Sequence, residues 1–581
     1  MTRGSLTDDV VERVRLDPDA PAVAVWIGSR WDDISIAGFQ SAVTDLAKGL
    51  MASGIAAGDR VALLARSRYE WTLTDYALWW IGAVSVPLYE TSGDDLVTLT
   101  LRDGGVTAAI TEDDAGADQL GSIPVWTMRP GFGRPGFGDT DPEDPGSRPT
   151  LADLVAAGSS VSDAELEARR SAVAADDLAT IIYTSGTTGV PKGCALTHGN
   201  LRAQLDGSTA ALHELFDDPD AATLLFLPLA HVLARIVQIG AIRTGIRFAH
   251  TADVTNLADQ FATFAPTFVL TVPRLLERIF NIVSQQAYAD NRGGLFDRAV
   301  QTAIAYSRAL DGKGPSITLK ARYALFDRTV YPKVRAAFGP NIRWAVSGGA
   351  PLGERMAHFY RGIGIPVLEG YGLTETAGAV AVNTPEKHRI GTVGRAIPGV
   401  EARVASDGEL HFRGPQIFQG YWNDPEATHA CIDEAGWLAT GDLAEIDADG
   451  FIRIVGRKTE VLVTAGGKNV SPSILEERIR AHPYVSQCLV VGDGKPFVAA
   501  LVTIDRDTWT GKLATPELRE EIQSAIDEAN AVVSQAEAVR RFAILDAEWT
   551  EANGYLTPSH KVRRSAVLSD FHDTVEALFV R

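Results

Sequence analysis

Through the first half of the chain, apolar runs of strand length alternate with segments of helical period: "RVALLA", "YALWWIGAVSVPL", "TAAIT" and "IPVWTM" follow one another. This rhythm predicts layered α/β architecture. A second group, "TLLFLPLAH", "TFVLTVPR", "IRWAVSGGAPL" and "IPVLEGYGLTET", reads as buried strands that each end in unusual residues. In open α/β sheets, ligands gather at the carboxyl ends of the strands, so these tips point at one crevice. Between them, over about residues 275–337, few turn signals interrupt a helical pattern. Beyond Gly391 the texture changes to short strands and tight turns, as in "DGELHFRGPQIFQGYW" and "TGDLAEIDADGFIRIVGR", which predicts a small β-rich subdomain.

From Lys458 onward the pattern changes again. "EVLVTAGGKNVSPSILEERIRAHPYV" predicts a strand, a Gly loop and a helix with Ser471 as N-cap and Pro472 at its first position. "SQCLVVGD" and "PFVAALVTI" predict paired strands, and residues 516–541 charged helices. The fold class is thus α/β. Residues 1–456 are expected to form a large multi-subdomain N-terminal domain of two layered α/β sheets plus the β-rich subdomain. Residues 457–581 are expected to form a small, mobile α+β C-terminal domain. The stretch "PGFGRPGFGDTDPEDPGSRP" reads as a long surface loop.

Composition narrows the classes of partner. A chain of 581 residues exceeds one compact core, and 54 Lys+Arg against 74 Asp+Glu leave a net charge of −20. Such a surface repels nucleic acid and anionic lipid headgroups at long range, so any anionic ligand must meet a local positive site. Cys194, Cys431 and Cys488 are isolated in sequence, which argues against disulfides and zinc and fits a reducing compartment. No signal-peptide pattern opens the chain, and its most apolar stretch is too short for a bilayer, so a soluble cytoplasmic protein is expected.

The chemistry concentrates in "TIIYTSGTTGVPKG", where three glycines, several hydroxyls and a lysine follow an apolar run. Gly-rich loops after a buried strand aim backbone N–H groups at phosphate. An ordinary mobile loop would explain Gly186 and Gly189 but not the company of Thr184, Ser185, Thr187, Thr188 and Lys192. Lys192 stands three residues after Gly189 and is followed by Gly193, so this is not a Walker P-loop. "YTSGTTGVPKG" resembles the phosphate loop of the adenylate-forming superfamily, and "SGGAPL", "YGLTET", "TGDLAEIDADGFIRIVGR" and "VTAGGKNVSP" follow in that superfamily's order. The wording "LPLAHV", "VPRLLERIF" and "AGGKN", with the helical insertion, is most similar to long-chain fatty acyl-CoA synthetases.

The resemblance implies a two-step reaction. A carboxylate is a poor electrophile, so its oxygen first attacks the α-phosphorus of ATP and pyrophosphate leaves. The sulfur of CoA then attacks the acyl carbon and AMP leaves. Positioning and cations that neutralise developing charge help the first step most. By resemblance, Thr184, Ser185, Gly186, Thr187, Thr188 and Gly189 wrap the β- and γ-phosphates with Lys192 beside them, and Glu375 holds Mg²⁺. Gly348, Gly349 and Ala350, with Gly370, Tyr371, Gly372 and Thr374, would wall the adenine slot, although Tyr371 serves equally as core packing. Asp442 is implied as the ribose ligand, and Arg457 as a ribose or phosphate contact. Lys561, in "YLTPSHKVRR", is implied as the lysine that enters from the C-terminal domain during adenylation. His231 is either the histidine near the acyl entrance or a satisfied half-buried histidine. Gly466, Gly467 and Lys468 belong to the loop that would let the pantetheine arm pass.

Two departures stand out. The pivot position holds Thr459, where relatives commonly carry Asp or Lys, and Arg235 occupies the place of a gating tryptophan. The implied partners are a medium-to-long fatty acid, ATP and CoA, with peripheral membrane contact left open. Two rivals share the fold: a fatty acyl-AMP ligase that delivers to a carrier protein, and a catalytically silent nucleotide-binding protein.

Overall fold

The computed structural model describes residues 4–128, 148–184, 190–253, 255–506, 508–557 and 561–580. The loop expected between Pro130 and Pro149 falls almost wholly outside these residues. So do Ser185, Gly186, Thr187, Thr188 and Gly189.

The run "YALWWIGAVSVPL" is apolar throughout because two buried elements share it. Helix Tyr69–Trp80 is buried on every side, Gly82 turns the chain at φ 70°, and strand Val84–Leu88 is buried along its length. Strands covered on both faces read as continuous apolar runs. Among the described residues the largest sheet has seven strands, in the order Gly420–Tyr421, Lys192–Thr197, Leu178–Thr184, Val84–Leu88, Arg60–Leu64, Val106–Thr111 and Val125–Thr127. Its core is parallel, while Leu178–Thr184 and Lys192–Thr197 pair antiparallel with Thr184 opposite Lys192.

A five-stranded sheet brings together Phe268–Thr271, Trp344–Ser347, Val367–Leu373, Gly378–Val382 and Arg395–Ala396, the first three parallel. Beside the two expected sheets stands a four-stranded one in which Val23 pairs with Phe248, a partnership too remote in sequence for periodicity to reveal. The expected helical stretch resolves into Pro273–Ala289, Gly293–Leu310, Ile317–Thr329 and Tyr331–Ala336. The β-rich part is an antiparallel sheet of Glu401–Val404, Glu409–Arg413, Leu438–Ile446 and Ile452–Arg457.

The C-terminal segment packs Pro472–Arg480 and Pro516–Asn530 on a three-stranded sheet of Val485–Val491, Val498–Ile504 and Val539–Leu545. Two expectations change here. The helix beginning at Pro516 ends at Asn530, and Arg540 and Arg541 lie on a strand, because Val539, Phe542 and Leu545 are drawn into the core by pairing with Val498–Ile504. Ser471 does occupy the N-cap position before Pro472, yet its hydroxyl donates to the Val455 carbonyl at 2.6 Å instead of capping the helix.

Arg235 explains its own departure from the gating pattern. It is 1% exposed and forms an ion pair with fully buried Asp75, while also donating to Thr180 Oγ1 at 2.8 Å and Ser85 Oγ at 2.5 Å. Burial pushes the Asp75 carboxyl up from its usual range, and Arg235 pulls against that shift. The pair ties the helix after His231 to Thr180, four residues before Thr184. We expect Arg235→Met to leave Asp75 buried without its cation and to remove about 3–5 kcal/mol of stability. The readout is the urea unfolding midpoint, and the double variant with Asp75→Asn should recover most of the loss. Parental unfolding of the single variant would contradict this assignment.

Candidate active site

The tips of both large sheets, the β-rich sheet and the C-terminal segment face one cleft of about 2900 Å³. A pocket for one small ligand occupies roughly 300–1,000 Å³, so this cleft has room for more than a nucleotide. Thr184, Lys192, His231, Glu375, Asp442, Arg457 and Lys561 all line it. Gly348, Gly349, Ala350, Gly370, Tyr371, Gly372 and Thr374 line it as well.

Two neighbouring strand ends wall one part of the cleft. After Trp344–Ser347 the chain turns through Gly348 and Gly349, the latter at φ 83°. A Cβ on Gly348 would sit 3.6 Å from the Gly370 carbonyl oxygen and 3.4 Å from Leu233, so the ends of these neighbouring strands lie in contact with each other and with the helix that carries Leu233. At Gly372 a Cβ would meet the Gly378 carbonyl at 2.0 Å, so strand packing alone requires glycine.

Tyr371, Asp442 and Arg457 form one network across two sheets. The Tyr371 hydroxyl donates to Asp442 Oδ2 at 2.5 Å, and Arg457 Nε donates to Oδ1 at 2.8 Å. Asp442 and Arg457 face each other directly in the Leu438–Ile446 and Ile452–Arg457 pair. Burial, followed by the Asp442 charge, holds the Tyr371 phenol well above its ordinary value. Burial works against the Arg457 charge, but Asp442 outweighs it and raises the guanidinium pKa. The tyrosine ring also stacks on Phe412, with centroids 6.0 Å apart. It therefore serves both the packing and the polar network.

Residues around Glu375 define the metal question. Glu375 sits in the one-turn helix Thr374–Thr376, and Tyr421 donates to its Oε1 at 2.7 Å. Lys192 lies over the Tyr421 ring, 5.1 Å from its centroid. Burial, then Glu375, pushes the Tyr421 phenol up, which keeps it a hydrogen-bond donor. A carboxylate that lines the cleft and accepts one tyrosine hydrogen bond keeps acceptor capacity for a hard cation such as magnesium. Sequence reasoning missed Tyr421, whose signal is the "QGYW" run. Gly420, at φ 147°, starts the short strand that pairs Tyr421 with Cys194.

Lys561 reaches this cleft from the far end of the chain. Its backbone is pinned by reciprocal bonds with Thr557, 2.8 Å from the Thr557 N–H to its carbonyl and 3.1 Å from its N–H to Thr557 Oγ1. The side chain stays open to solvent along the cleft although protein surrounds it. That crowding, and then Arg457, lower its pKa, while Asp442, Glu460 and Glu375 oppose the shift. His231 caps the helix Val232–Thr244 by accepting from the Leu233 N–H at 3.1 Å. Burial, then Lys561, holds its pKa at about 4, so the ring is neutral near pH 7 with Nδ1 as acceptor.

The Gly loop is placed elsewhere. Gly466, Gly467 and Lys468 are exposed and are not among the described residues lining the cleft; Lys468 pairs with Glu537 at 3.4 Å. Thr459 lines the cleft, and the adjacent Lys458 is held by Asp407 and Glu409 at 2.7 and 2.8 Å. Glu369 was also missed. It ends an apolar run in "VLEGYG", accepts from the Leu352 N–H at 3.0 Å, and burial pushes its carboxyl up to about 7.

The long-chain-fatty-acid–CoA ligase FadD15 of Mycobacterium tuberculosis is 44% identical over 590 aligned residues, covering 98% of this chain and 96% of its own. Among solved structures, the adenylation domain of a carboxylate reductase from Mycobacterium chelonae superposes with a TM-score of 0.78 at 22% identity, covering 100% of this chain and 92% of its own. The o-succinylbenzoate coenzyme A synthetase of Bacillus subtilis, in complex with ATP and magnesium ion, gives 0.68 at 20% identity, with coverages of 96% and 98%. Both share the fold. A model of the AMP-binding enzyme matches residues 10–422 and one of its C-terminal domain matches residues 459–581, so the chain belongs to the AMP-binding enzyme family.

Proposed function

We propose that the protein is an ATP-dependent acyl-CoA synthetase that joins a medium-to-long fatty acid to AMP and then to CoA. The observation that carries this reading is the arrival of Lys561, from the C-terminal segment, in the cleft that holds Glu375 and the Tyr371–Asp442–Arg457 network. The resemblance to a long-chain-fatty-acid–CoA ligase across 98% of the chain supports the substrate class.

In this reading the part of the cleft walled by Gly348, Gly349, Ala350, Gly370 and Tyr371 receives the adenine. Asp442, oriented by Tyr371 and Arg457, accepts from the ribose hydroxyls. Lys192 and the residues from Thr184 to Gly189 hold the outer phosphates. Glu375 is the residue that would hold magnesium, which supplies neutralisation of phosphate charge when bound. Lys561 places its ammonium between the fatty carboxylate and the α-phosphate, where charge develops. His231 remains neutral and fixes the start of the helix lining the acyl side. We assign residues 1–456 to the adenylation domain and 457–581 to a lid that turns near Thr459. Lys561 faces the cleft while Gly466 and Gly467 face away, which supports a turn between the two steps.

The acyl chain is assigned to the apolar lobe lined by Leu205, Leu212, Phe216, Val237, Gly240 and Phe268. Pyrophosphate release with a panel of fatty acids, measured with and without CoA, tests the whole reading. Release that yields free acyl adenylate but no acyl-CoA points to the acyl-AMP ligase, and no release at all to the silent protein.

Four variants resolve the parts. Lys561→Ala should lose roughly 10²–10³-fold in adenylation yet still convert supplied acyl adenylate and CoA; Gly467→Leu should do the reverse. If both variants lose both half-reactions in proportion, the alternating lid is wrong. Glu375→Gln keeps the shape and removes the charge, so the magnesium titration midpoint should rise while the fold survives; an unchanged titration removes Glu375 from the metal site. In Gly240→Leu, the new side chain meets Leu205 and Phe216, which a Cβ alone would approach to 3.3 and 3.9 Å. Loss of two or three buried methylenes should lower palmitate turnover relative to octanoate on the order of 10- to 100-fold. An unchanged chain-length profile places the acyl chain elsewhere.

A further inference from the structure

The helical insertion carries a surface that runs against the charge of the whole molecule. Over residues 313–335 there are six basic residues, Lys313, Lys320, Arg322, Arg328, Lys333 and Arg335, and a single acidic one, Asp327, in a chain of net charge −20. Asp327 is occupied by Arg335 at 2.8 Å, and in the preceding helix region Asp311 by Arg361 at 2.6 Å and Asp297 by the Tyr288 hydroxyl at 2.6 Å. Among the described residues, no carboxylate lies within ion-pair reach of Lys320, Arg322 or Arg328. Their positive field is therefore available to an outside partner.

The helix Ile317–Thr329 is also turned inside out. At 3.6 residues per turn, Leu319, Tyr323 and Phe326 share its inner face. Phe326 is buried, and Tyr323 stacks on Tyr306 at 3.9 Å. The opposite face should be polar, but it presents Ile317, Ala321, Ala324 and Leu325. Ile317 is 86% and Leu325 59% exposed. Lys320 flanks this stripe on one side and Arg322 on the other, and Arg328 closes it at the C-terminal end of the helix. Leu310, 50% exposed at the end of the preceding helix, adds apolar surface across the turn from Ile317.

We infer that the outer face of helix Ile317–Thr329 docks on an anionic lipid surface. An apolar stripe edged by long basic side chains is what an interfacial helix requires: the stripe enters the acyl boundary while lysine and arginine stems reach back to the headgroups. Charge complementarity selects lipid over a second copy of this chain, because the copy is itself strongly acidic overall yet offers this same basic face to a symmetric contact. The whole-molecule charge repels the bilayer at long range, so docking depends on ionic strength and on this one face being presented. The inference rests on the surface alone and is read without ATP or fatty acid, so its failure leaves the proposed reaction standing.

The test is co-sedimentation of the full chain with vesicles of phosphatidylcholine, with and without phosphatidylglycerol, at low and high salt. Binding to the anionic vesicles only, weakened by salt, is expected. Each basic residue near an anionic surface contributes about fivefold. Reversing Lys320, Arg322 and Arg328 to Glu together should therefore reduce partitioning on the order of 100-fold or more. Ile317→Ser with Leu325→Ser should reduce it at least about tenfold without altering far-UV circular dichroism, since neither side chain is buried. Parental binding by both variants, or no binding of the parent to anionic vesicles, overturns the proposal. A concentration-dependent dimer that the same variants abolish, without vesicle binding, also overturns it and assigns the face to self-association.

Discussion

An ammonium and a guanidinium held near each other in a protein-walled crevice set the terms for the rest of the site. Lys561 is disfavoured as a cation by its surroundings and by Arg457, and Asp442, Glu460 and Glu375 only partly relieve it. Such an arrangement is short of negative charge at one place, and a phosphate anion supplies it. The surrounding network keeps the positive groups from collapsing onto their own carboxylates. Asp442 is shared between Arg457 and Tyr371, and Glu375 is engaged by Tyr421, so neither anion is free to swing onto the lysine. Stabilisation of developing charge by groups already in place requires no reorganisation when the ligand reacts.

The folding of the chain delivers these groups from distant parts of the sequence. The seven-stranded sheet delivers Thr184 at a strand end, and the five-stranded sheet delivers Ser347 at a strand end with Glu369 on the neighbouring strand. The antiparallel β-rich sheet supplies a directly opposed Asp442 and Arg457. Only the C-terminal contribution depends on how a separate core sits against the cleft. Its attachment passes through Thr459, and Lys458 beside it is tied to Glu409 of the β-rich sheet and to Asp407 in the turn before that strand, which anchors the junction.

Much of this was legible in the sequence, for physical reasons that differ from element to element. The strand tips could be read because strands buried on both faces are apolar and stop abruptly at glycine or charge. Tyr371 and Asp442 could be named through the wording of their motifs, but their bond to each other joins residues on different sheets and leaves no periodic trace. Tyr421 and Glu369 were passed over because a tyrosine after glycine and a glutamate after an apolar run are ordinary in isolation. Their importance comes from Glu375 and Leu352, which only folding brings near. Ser471 shows the converse: its position predicts a cap, but the Val455 carbonyl competes for the hydroxyl and wins. Arg540 and Arg541 continue the charged pattern of the preceding helix, but burial of Val539, Phe542 and Leu545 places them on a strand.

The buried pair of Arg235 and Asp75 has a consequence for how this chain can change over time. Neither partner can be exchanged alone without leaving a bare charge in a core that also holds Thr180 and Ser85. The helix Val232–Thr244 and the strand that carries Thr184 are therefore inherited as one unit. A lineage or a designer moving from arginine to an aromatic gate at this position must neutralise position 75 in the same step, because either substitution made alone passes through an intermediate with an uncompensated buried charge.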